Sequence, residues 1–173
     1  MASKSTKGEI LAKFFDDGEY TALFADGAVS AASGYAAGQQ AYAVFQNGEA
    51  VTVKDVEKNI KVLELAAQTG CPVVTFYDSV GAKLAEGLDV LTASAKLNAT
   101  IAKVSGVVPQ VAVVLGVCGG TSVLLTFIKT EIYIHLTAPG GRQLITFSNL
   151  EKKHLFYSRR NCMNKCFKIS KMR

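Results

Sequence analysis

Two glycine-containing turns carry the residue types that could do chemistry in this chain. The first reads DSVGAK at residues 78–83 and follows the apolar run 73–77, and the second reads GVCGGTS at residues 116–122 and ends the apolar run 110–117. Each turn leads from a predicted buried strand into a predicted helix, where unpaired backbone N–H groups and the helix dipole favour negative charge. Two such turns predict a site that stabilises an oxyanion with main-chain amides rather than side chains.

Each turn also has a plainer interpretation. The first could be an ordinary strand-to-helix turn, and the glycine pair of the second could serve only to pack a helix closely on the sheet. The second turn lacks the Lys-Ser/Thr of a phosphate loop and the spacing of a dinucleotide fingerprint. Cys118 could be a nucleophile, but no histidine accompanies it in a known local pattern, which favours a buried core thiol.

Glu86 and Asp89 lie at the start of a predicted helix, where the helix dipole stabilises negative charge. This structural role is the favoured interpretation of both carboxylates.

Length and composition place the chain among globular proteins. It has 173 residues, of which 49% are hydrophobic and 19% are charged, enough for one domain with a sizeable core. No apolar run reaches the ~18 residues of a membrane-spanning helix, and the N-terminus has no apolar secretory segment, so we expect a cytoplasmic protein. No metal site is expected, because His154, Cys162 and Cys166 fall short of a four-ligand zinc set.

Charge divides the chain into a body and a tail. Residues 1–141 hold 10 Lys/Arg and 13 Asp/Glu, whereas residues 142–173 hold 9 Lys/Arg and one acid. The net charge of +5 therefore belongs to the tail alone, and the mildly acidic body argues against nucleic acid as a partner. We predict a folded unit at 1–141 and a separate basic tail at 142–173, either disordered or read out of frame.

Hydrophobic periodicity gives the order of the elements. Helices are predicted at 7–17, 54–69, 84–104 and around 121–128, and strands at 28–37, 40–47, 73–77, 110–117 and 131–136. The first two strands should form a hairpin that turns at Gly38-Gln39. This order predicts an α/β protein with at least one core sheet, and a hairpin before a helix fits a ββα superhelix better than a doubly wound sheet.

These segments together resemble the carboxyltransferase subunits of biotin-dependent acyl-CoA carboxylases and decarboxylases. The resemblance is carried, in order, by DDGEY, the SGYAAGQQAYAVFQN hairpin, QTGCPVV, DSVGAK followed by AEG, SGVVPQVAVV and GVCGGTS, and it covers residues 8–123. It implies a crotonase-like (ClpP/crotonase) fold of ββα units wound into a superhelix. The fold is expected to be incomplete in this chain and to be followed by an irregular basic tail.

The resemblance also implies a reaction and its residues. The family moves a carboxyl group between N1 of biotin and the α-carbon of an acyl-CoA, through an enolate whose oxygen is held by backbone amides. Here those amides would be the ones of Gly81, Ala82, Gly119 and Gly120, and the substrate would also be contacted by Ser79, Val80, Lys83, Cys118 and Thr121. Biotin would arrive on a partner carrier protein or domain, acyl-CoA would be the substrate, no metal would take part, and the subunits would form homo- or hetero-oligomers.

Two departures from the family pattern affect these expectations. Val80 stands where the family has glycine, and a β-branched residue there is expected to resist a positive φ. Either Gly81 and Ala82 remain as the donors of the first turn, or the substrate is bound differently. Past Val123 the resemblance ends, and the length fits only part of the first of the family's two domains. We therefore expect a truncated or frameshifted reading frame that is not necessarily active alone.

Two other functions stay open from the residues. One is a single-domain crotonase-type acyl-CoA hydratase, isomerase or hydrolase, although nothing acidic lies between Asp89 and Glu131 to act as its base. The other is a non-catalytic remnant or interaction module, whose basic tail would bind an acidic partner or nucleic acid. Salt-dependent binding of nucleic acid that is lost on deleting residues 142–173 would favour it.

Overall fold

The computed structural model describes residues 7–122, residue 125 and the strands 131–138 and 141–148. The helices are α1 (Lys7–Phe14), α2 (Val53–Thr69) and α3 (Gly87–Val104). The strands are β1 (Tyr20–Phe24), β2 (Val29–Ala36), β3 (Gln39–Gln46), β4 (Val73–Ser79), β5 (Gln110–Cys118), β6 (Glu131–Ala138) and β7 (Gly141–Ser148). Single 3-10 turns at Asp16–Gly18 and Leu84–Glu86 precede β1 and α3.

The described strands form one mixed sheet in chain order. Strands β3, β4, β5 and β6 run parallel, and antiparallel pairs flank them on both sides, β1–β2–β3 and β6–β7. The helices α2 and α3 are the crossovers of the first two parallel steps, as parallel neighbours require. The carboxyl ends of β3, β4 and β5 therefore lie side by side at one edge of the sheet.

The first two long strands form the predicted hairpin. β2 and β3 are joined by Ala37 and Gly38, whose φ angles of 55° and 74° are both positive, as in a two-residue type I′ turn. The turn lies one residue before the predicted position. The carboxylate of Asp16 accepts hydrogen bonds from both turn amides, at 3.0 Å from Ala37 N and 2.8 Å from Gly38 N.

Apolar residues cover both faces of the sheet. Helices α2 and α3 pack on one face, and their core includes Val44, Leu63, Tyr77, Leu97 and Val114. Helix α1 packs on the other face, where the core includes Phe14, Phe15, Phe45, Phe76 and Val113. Strand β4 is buried along its whole length, which explains its continuous apolar sequence and confirms the prediction that it is buried on both faces.

Local sequence signals set the ends of α2. The side chain of Thr52 accepts a hydrogen bond from the Asp55 N–H, and the carboxylate of Asp55 accepts one from the Thr52 N–H, which makes a capping box. Gly70 ends the helix in the left-handed conformation, with φ 67°. The helix predicted at 54–69 is therefore confirmed.

The helix predicted at 84–104 is divided in the structure. Residues Leu84–Glu86 form a 3-10 turn, and α3 begins only at Gly87. Gly87, the first residue of α3, has a φ of 57°, which the interior of an α-helix cannot contain, so one continuous helix cannot run from 84 to 104. The turn before it presents residues 80–86 as a separate segment at the edge of the sheet.

Strands β1 and β7 were not predicted. β1 is a short edge strand whose first three residues are exposed, so it shows no apolar alternation. β7 begins at the boundary predicted between body and tail, and that division into 1–141 and 142–173 stays a prediction.

Residues 149–173, with the candidate ligands His154, Cys162 and Cys166, lie outside the described residues. No helix in the described part is long and apolar enough to cross a membrane.

Candidate functional site

The parallel pair β4–β5 brings the two glycine turns together. Ser79, the last residue of β4, is the sheet partner of Cys118, the last residue of β5. The first turn (residues 80–83) follows β4, and the second turn (residues 119–122) follows β5. Because carboxyl ends of parallel strands share one edge of the sheet, turns that lie far apart in sequence become neighbours.

The backbones of the two turns are in direct contact. A Cβ atom on Gly119 would lie 2.9 Å from the Val80 carbonyl oxygen, and one on Gly81 would lie 3.0 Å from the Gly119 carbonyl oxygen. Gly81 and Gly120 also have positive φ angles, of 108° and 56°. The glycines at 81 and 119 therefore let the two main chains approach more closely than any side chain would allow.

Ser79 joins the two turns through hydrogen bonds. Its carbonyl oxygen accepts from Gly119 N at 3.0 Å, and its hydroxyl oxygen accepts from Gly81 N at 3.0 Å. The side chain of Ser79 is fully buried. Two of the four amides predicted as oxyanion donors are thus already engaged within the protein.

The amides of Ala82 and Gly120 remain available. No described residue accepts a hydrogen bond from either N–H. Gly120 is exposed and Ala82 is half-buried, so both can be reached from solvent. Their segments touch, since the Gly120 Cα lies 3.4 Å from the position of a Cβ on Gly81. The arrangement offers two neighbouring main-chain donors at the end of a buried sheet, as a site for a developing negative charge requires.

A third segment supports the first turn. The β3–α2 loop (residues 47–52) runs beside it and continues the parallel pairing of β3 with β4. Gly48 N donates to Asp78 O at 2.6 Å, Val51 N to Gly81 O at 2.8 Å, and Lys83 N to Val51 O at 2.9 Å. The sequence analysis missed this loop, because Asn47-Gly48 indicates a turn but not its neighbour in space.

Asp78 is a second residue that the sequence analysis did not single out. It is buried, and its Oδ1 accepts a hydrogen bond from Val117 N at 3.2 Å. A Cβ on Gly116 would collide with this carboxylate, so a larger residue at this position would require the Asp78 side chain to move. The available signal was a carboxylate in an otherwise apolar strand, since a buried charge needs a hydrogen-bonding partner.

Val80 resists a positive φ, as the sequence analysis expected. Its φ is not positive, and Gly81 takes the left-handed conformation of the turn instead. The side chain of Val80 is 58% exposed, so it neither fills the contact between the turns nor requires glycine at its position. The first turn places its one positive φ at Gly81, one residue later, so Val80 does not strain the backbone there. The expectation that Val80 changes how the substrate is bound stays a prediction.

The other predicted substrate contacts lie around the same edge. Lys83 lines a pocket of about 370 Å³ with Lys54 and Lys58, which we call the lysine-lined pocket, and its lining also includes Asp26, Glu49 and Asp55. Cys118 is half-buried and is not part of a disulfide, and Thr121 is half-buried at the start of a helical segment. Within the described residues, no three His, Cys, Asp or Glu side chains are grouped as metal ligands. The roles assigned to these residues stay predictions.

One carboxylate in the wall of the lysine-lined pocket has a perturbed pKa. Burial alone would raise the pKa of Asp55. Hydrogen bonds from the Thr52 side chain, from Lys58 and from the backbones of Thr52 and Val29 together outweigh burial, so the pKa lies below its ordinary value of 3.8. Lys58 Nζ lies 3.1 Å from Asp55 Oδ1 and 3.5 Å from Asp26 Oδ1. Asp55 therefore remains charged and fixes the start of α2 beside the site.

An apolar surface follows the first turn. Leu84 and Leu88 are 85% and 78% exposed, and Leu91 is also exposed. The spacing of four and three residues places Leu88 and Leu91 on one side of α3, and Leu84 lies just before them in the 3-10 turn. We call these three residues the leucine stripe. Their exposure contrasts with the buried side of α3, formed by residues such as Val90, Leu97 and Ile101.

Comparison with known proteins connects this geometry to a family. The carboxyl transferase domain matches residues 7–138. The chain is 29% identical over 115 residues to the propionyl-CoA carboxylase beta chain of Roseobacter denitrificans, a match that covers 62% of this chain and 22% of that protein. It is 30% identical over 155 residues to the methylmalonyl-CoA decarboxylase subunit alpha of Veillonella parvula, covering 76% and 30%.

Solved structures agree with the sequence matches. The transcarboxylase 12S crystal structure, a hexamer with methylmalonyl-coenzyme A and methylmalonic acid bound, superposes with a TM-score of 0.71 at 26% identity. That match covers 79% of this chain and 32% of the transcarboxylase chain, so this chain spans about a fifth to a third of the length of these relatives. The crotonase-like fold is confirmed, and the chain belongs to the carboxyl transferase domain family.

Proposed function

We propose that this chain provides the enolate-holding site of a biotin-dependent acyl-CoA carboxyltransferase. The observation that carries the proposal is the pair of unengaged amides, Ala82 and Gly120, on two turns in backbone contact. A thioester carbonyl oxygen gains negative charge when its α-carbon loses a carboxyl group. Fixed N–H donors stabilise that oxygen more strongly than they stabilise the neutral thioester.

The enolate oxygen needs only hydrogen-bond donors from this chain. In the decarboxylating direction the bond from the α-carbon to the carboxyl group breaks, and its electron pair moves into the thioester to leave an enolate oxygen. The enolate carbon then takes up a proton, which the biotin nitrogen would release on accepting the carboxyl group. In the other direction the α-carbon loses that proton to form the enolate, whose carbon forms the bond to the carboxyl group again as the charge leaves the oxygen. Ala82 and Gly120 would hold the oxygen in both directions, and the buried sheet edge behind them would exclude water from one side.

Biotin fits a site of this kind as the carrier of the carboxyl group. The two carboxylates nearest the first turn in sequence are already engaged by the backbone, Asp78 by Val117 N and Glu86 by Val53 N at 2.7 Å. Neither is placed as a free general base. When biotin is bound on a partner carrier, it supplies or accepts the carboxyl group, so the residues of this chain need only bind and orient the thioester.

The lysine-lined pocket suits the rest of the substrate. Lys54 and Lys83 line it beside the first turn, and their ammonium groups favour the phosphates of coenzyme A, whereas Lys58 is paired with Asp55 and Asp26 in the wall of the pocket. The names of the relatives support a propionyl or methylmalonyl group as the acyl part. They include both a carboxylase and a decarboxylase, so both directions belong to the proposal. The location in the cytoplasm is proposed from the sequence alone.

Association with further protein is the second part of the proposal. The leucine stripe exposes three large apolar side chains next to the site, and exposed apolar surfaces of this kind are covered in assemblies. The transcarboxylase that this chain resembles is a hexamer. We propose that this chain forms a homo- or hetero-oligomer and meets a biotin carboxyl carrier protein there.

The alternative functions are not favoured. The matched relatives are carboxylases and decarboxylases rather than hydratases, isomerases or hydrolases. A remnant without a site would have no reason to keep both turns in backbone contact with two amides unengaged.

Calorimetric titration with thioesters tests the proposal. The full chain is titrated with acetyl-, propionyl- and malonyl-CoA and with free coenzyme A. We expect saturable binding of propionyl-CoA that is tighter than the binding of free coenzyme A, because only the thioester offers a carbonyl oxygen to the two amides. Absence of saturable binding for all three thioesters would overturn the proposal.

A further inference from the structure

We infer that Ser79 is a positioning residue, whose hydroxyl and carbonyl groups together aim the two free amides at one oxygen. This inference rests on the proposed function, and it changes the role expected for Ser79. The sequence placed Ser79 among the substrate contacts, but its side chain is fully buried and its hydroxyl is engaged within the protein.

The hydroxyl of Ser79 joins two segments. Its Oγ donates to the carbonyl oxygen of Glu49 at 2.9 Å and accepts from Gly81 N at 3.0 Å. The first bond reaches the β3–α2 loop, and the second fixes the residue directly before Ala82. A glycine can adopt several backbone conformations, and Gly81 adopts one with a φ of 108°. The hydrogen bond to Ser79 Oγ holds Gly81 in this conformation.

The carbonyl group of Ser79 joins a third segment. It accepts from Gly119 N at 3.0 Å, and Gly119 is the residue directly before Gly120. Each free amide therefore follows a residue whose own N–H is bound to Ser79. One residue holds both Gly81 and Gly119, so the separation and direction of the Ala82 and Gly120 N–H groups depend on it.

Neighbouring contacts show why a side chain is needed at this point. The pairing of the β3–α2 loop with the first turn uses Gly48, Val51 and Lys83 and leaves the carbonyl group of Glu49 to be satisfied by Ser79. Without the hydroxyl, the Glu49 carbonyl and the Gly81 N–H would both lose a buried partner. The first turn would then keep its anchors at Gly81 O and Lys83 N but lose the one that orients the Gly81–Ala82 peptide.

The experiment compares Ser79→Ala with a matched control, Ser94→Ala. Ser94 is also a buried serine, but its hydroxyl bonds only to Val90 O one turn earlier in α3, at 2.7 Å. For each full-length variant, calorimetry gives the ratio of the affinities for propionyl-CoA and free coenzyme A. Ser79→Thr, which keeps the hydroxyl, tests rescue. Amide hydrogen exchange reports directly on Gly81 and Gly119, and thermal unfolding checks that each variant is folded.

We expect Ser79→Ala to lower the thioester-to-coenzyme A affinity ratio about tenfold, the effect of one misaligned hydrogen bond, with little change in the affinity for coenzyme A itself. Ser79→Thr should restore most of the ratio, and Ser94→Ala should leave it unchanged. Faster exchange at Gly81 and Gly119 should accompany the loss. An unchanged ratio in folded Ser79→Ala would overturn the inference.

Failure of the proposed function gives a different result. If the unsubstituted protein does not distinguish propionyl-CoA from coenzyme A, the function proposed above fails, and hydrogen exchange alone decides the role of Ser79. In that case, faster exchange at both glycines in Ser79→Ala, but not in Ser94→Ala, still supports Ser79 as the residue that positions the turns. Unchanged exchange would contradict it.

Discussion

The Gly119 N–H donates a 3.0 Å hydrogen bond to the Ser79 carbonyl oxygen, and this bond connects the ends of two parallel strands. It uses an amide that the sequence alone would assign to a substrate. The neighbouring amide of Gly120 is thereby left as the donor of the second turn. The glycines therefore serve two purposes. Gly81 and Gly119 allow the two backbones to approach, and Gly120 presents its N–H group.

Gly119→Ala should separate the two turns. The new Cβ would lie 2.9 Å from the Val80 carbonyl oxygen, which is part of a turn held by its own hydrogen bonds. We expect a loss of about 1–3 kcal/mol in the free energy of unfolding, as for other overpacked sites. Urea denaturation followed by circular dichroism measures it.

A glycine in open space provides the control for that substitution. Gly8 lies in α1 with no atom within 4 Å of an added Cβ and no positive φ. Gly8→Ala should be neutral or stabilise by up to about 1 kcal/mol. Equal stabilities of the Gly119→Ala and Gly8→Ala proteins would contradict the close contact between the turns.

Val80→Gly should not stabilise the protein, although it restores the glycine of the family pattern. The φ of Val80 is not positive, so the substitution relieves no strain. Glycine gains freedom in the unfolded chain, and we expect a loss of about 0.5–1 kcal/mol. Thermal unfolding tests this, and a variant with a clearly higher melting temperature would mean that Val80 is strained after all.

The outcome at Val80 illustrates how far the sequence can predict this site. The two turns, the strands before them and the hairpin at β2–β3 follow from glycines and apolar runs, which are local signals. Local signals do not predict which amides are free, because the Gly119 N–H is bonded to Ser79, a residue forty positions away on a neighbouring strand. The β3–α2 loop was missed for the same reason, since its pairing depends on neighbours in space. The edge strand β1 was missed because its exposed residues show no apolar alternation. Likewise, the burial of Asp78 is explained by contacts across the sheet, among them the hydrogen bond from the Val117 N–H.

Asp55→Asn should destabilise the protein in a pH-dependent way. The folded state lowers the pKa of Asp55 below its ordinary value of 3.8, so the charged carboxylate binds the folded state's donors better than the protonated form does. Its stabilisation is fully present above the ordinary pKa and is lost as the pH falls through the lower, folded-state pKa. We expect a cost of about 1–2 kcal/mol at pH 7 for the lost charge.

The measurement for Asp55 is urea denaturation between pH 7 and pH 3. The difference between the unsubstituted protein and Asp55→Asn should be constant at neutral pH and shrink below about pH 4. Glu64→Gln, at an exposed position of the same helix, should show a much smaller difference throughout. A difference for Asp55→Asn that grows on acidification would reverse the expected sign.

The leucine stripe should govern self-association. Leu84 and Leu88 are 85% and 78% exposed, so replacing both by glutamine should leave folding intact. Sedimentation velocity should show less association for Leu84→Gln/Leu88→Gln than for the unsubstituted protein. Leu65→Gln on α2, at a less exposed leucine, serves as the control. Identical sedimentation of all three proteins would remove the stripe as an association surface.

The most direct test of the account observes the two amides themselves. In ¹H–¹⁵N spectra of the full chain, propionyl-CoA should shift the Ala82 and Gly120 amide protons downfield, because both would donate to the thioester oxygen. Free coenzyme A should leave these two signals in place while it moves signals near the lysine-lined pocket. The Gly81 and Gly119 amides, which are bonded to Ser79, should move less with either ligand. Saturable binding of propionyl-CoA without a shift at Ala82 or Gly120 would contradict the central claim that these amides hold the oxyanion.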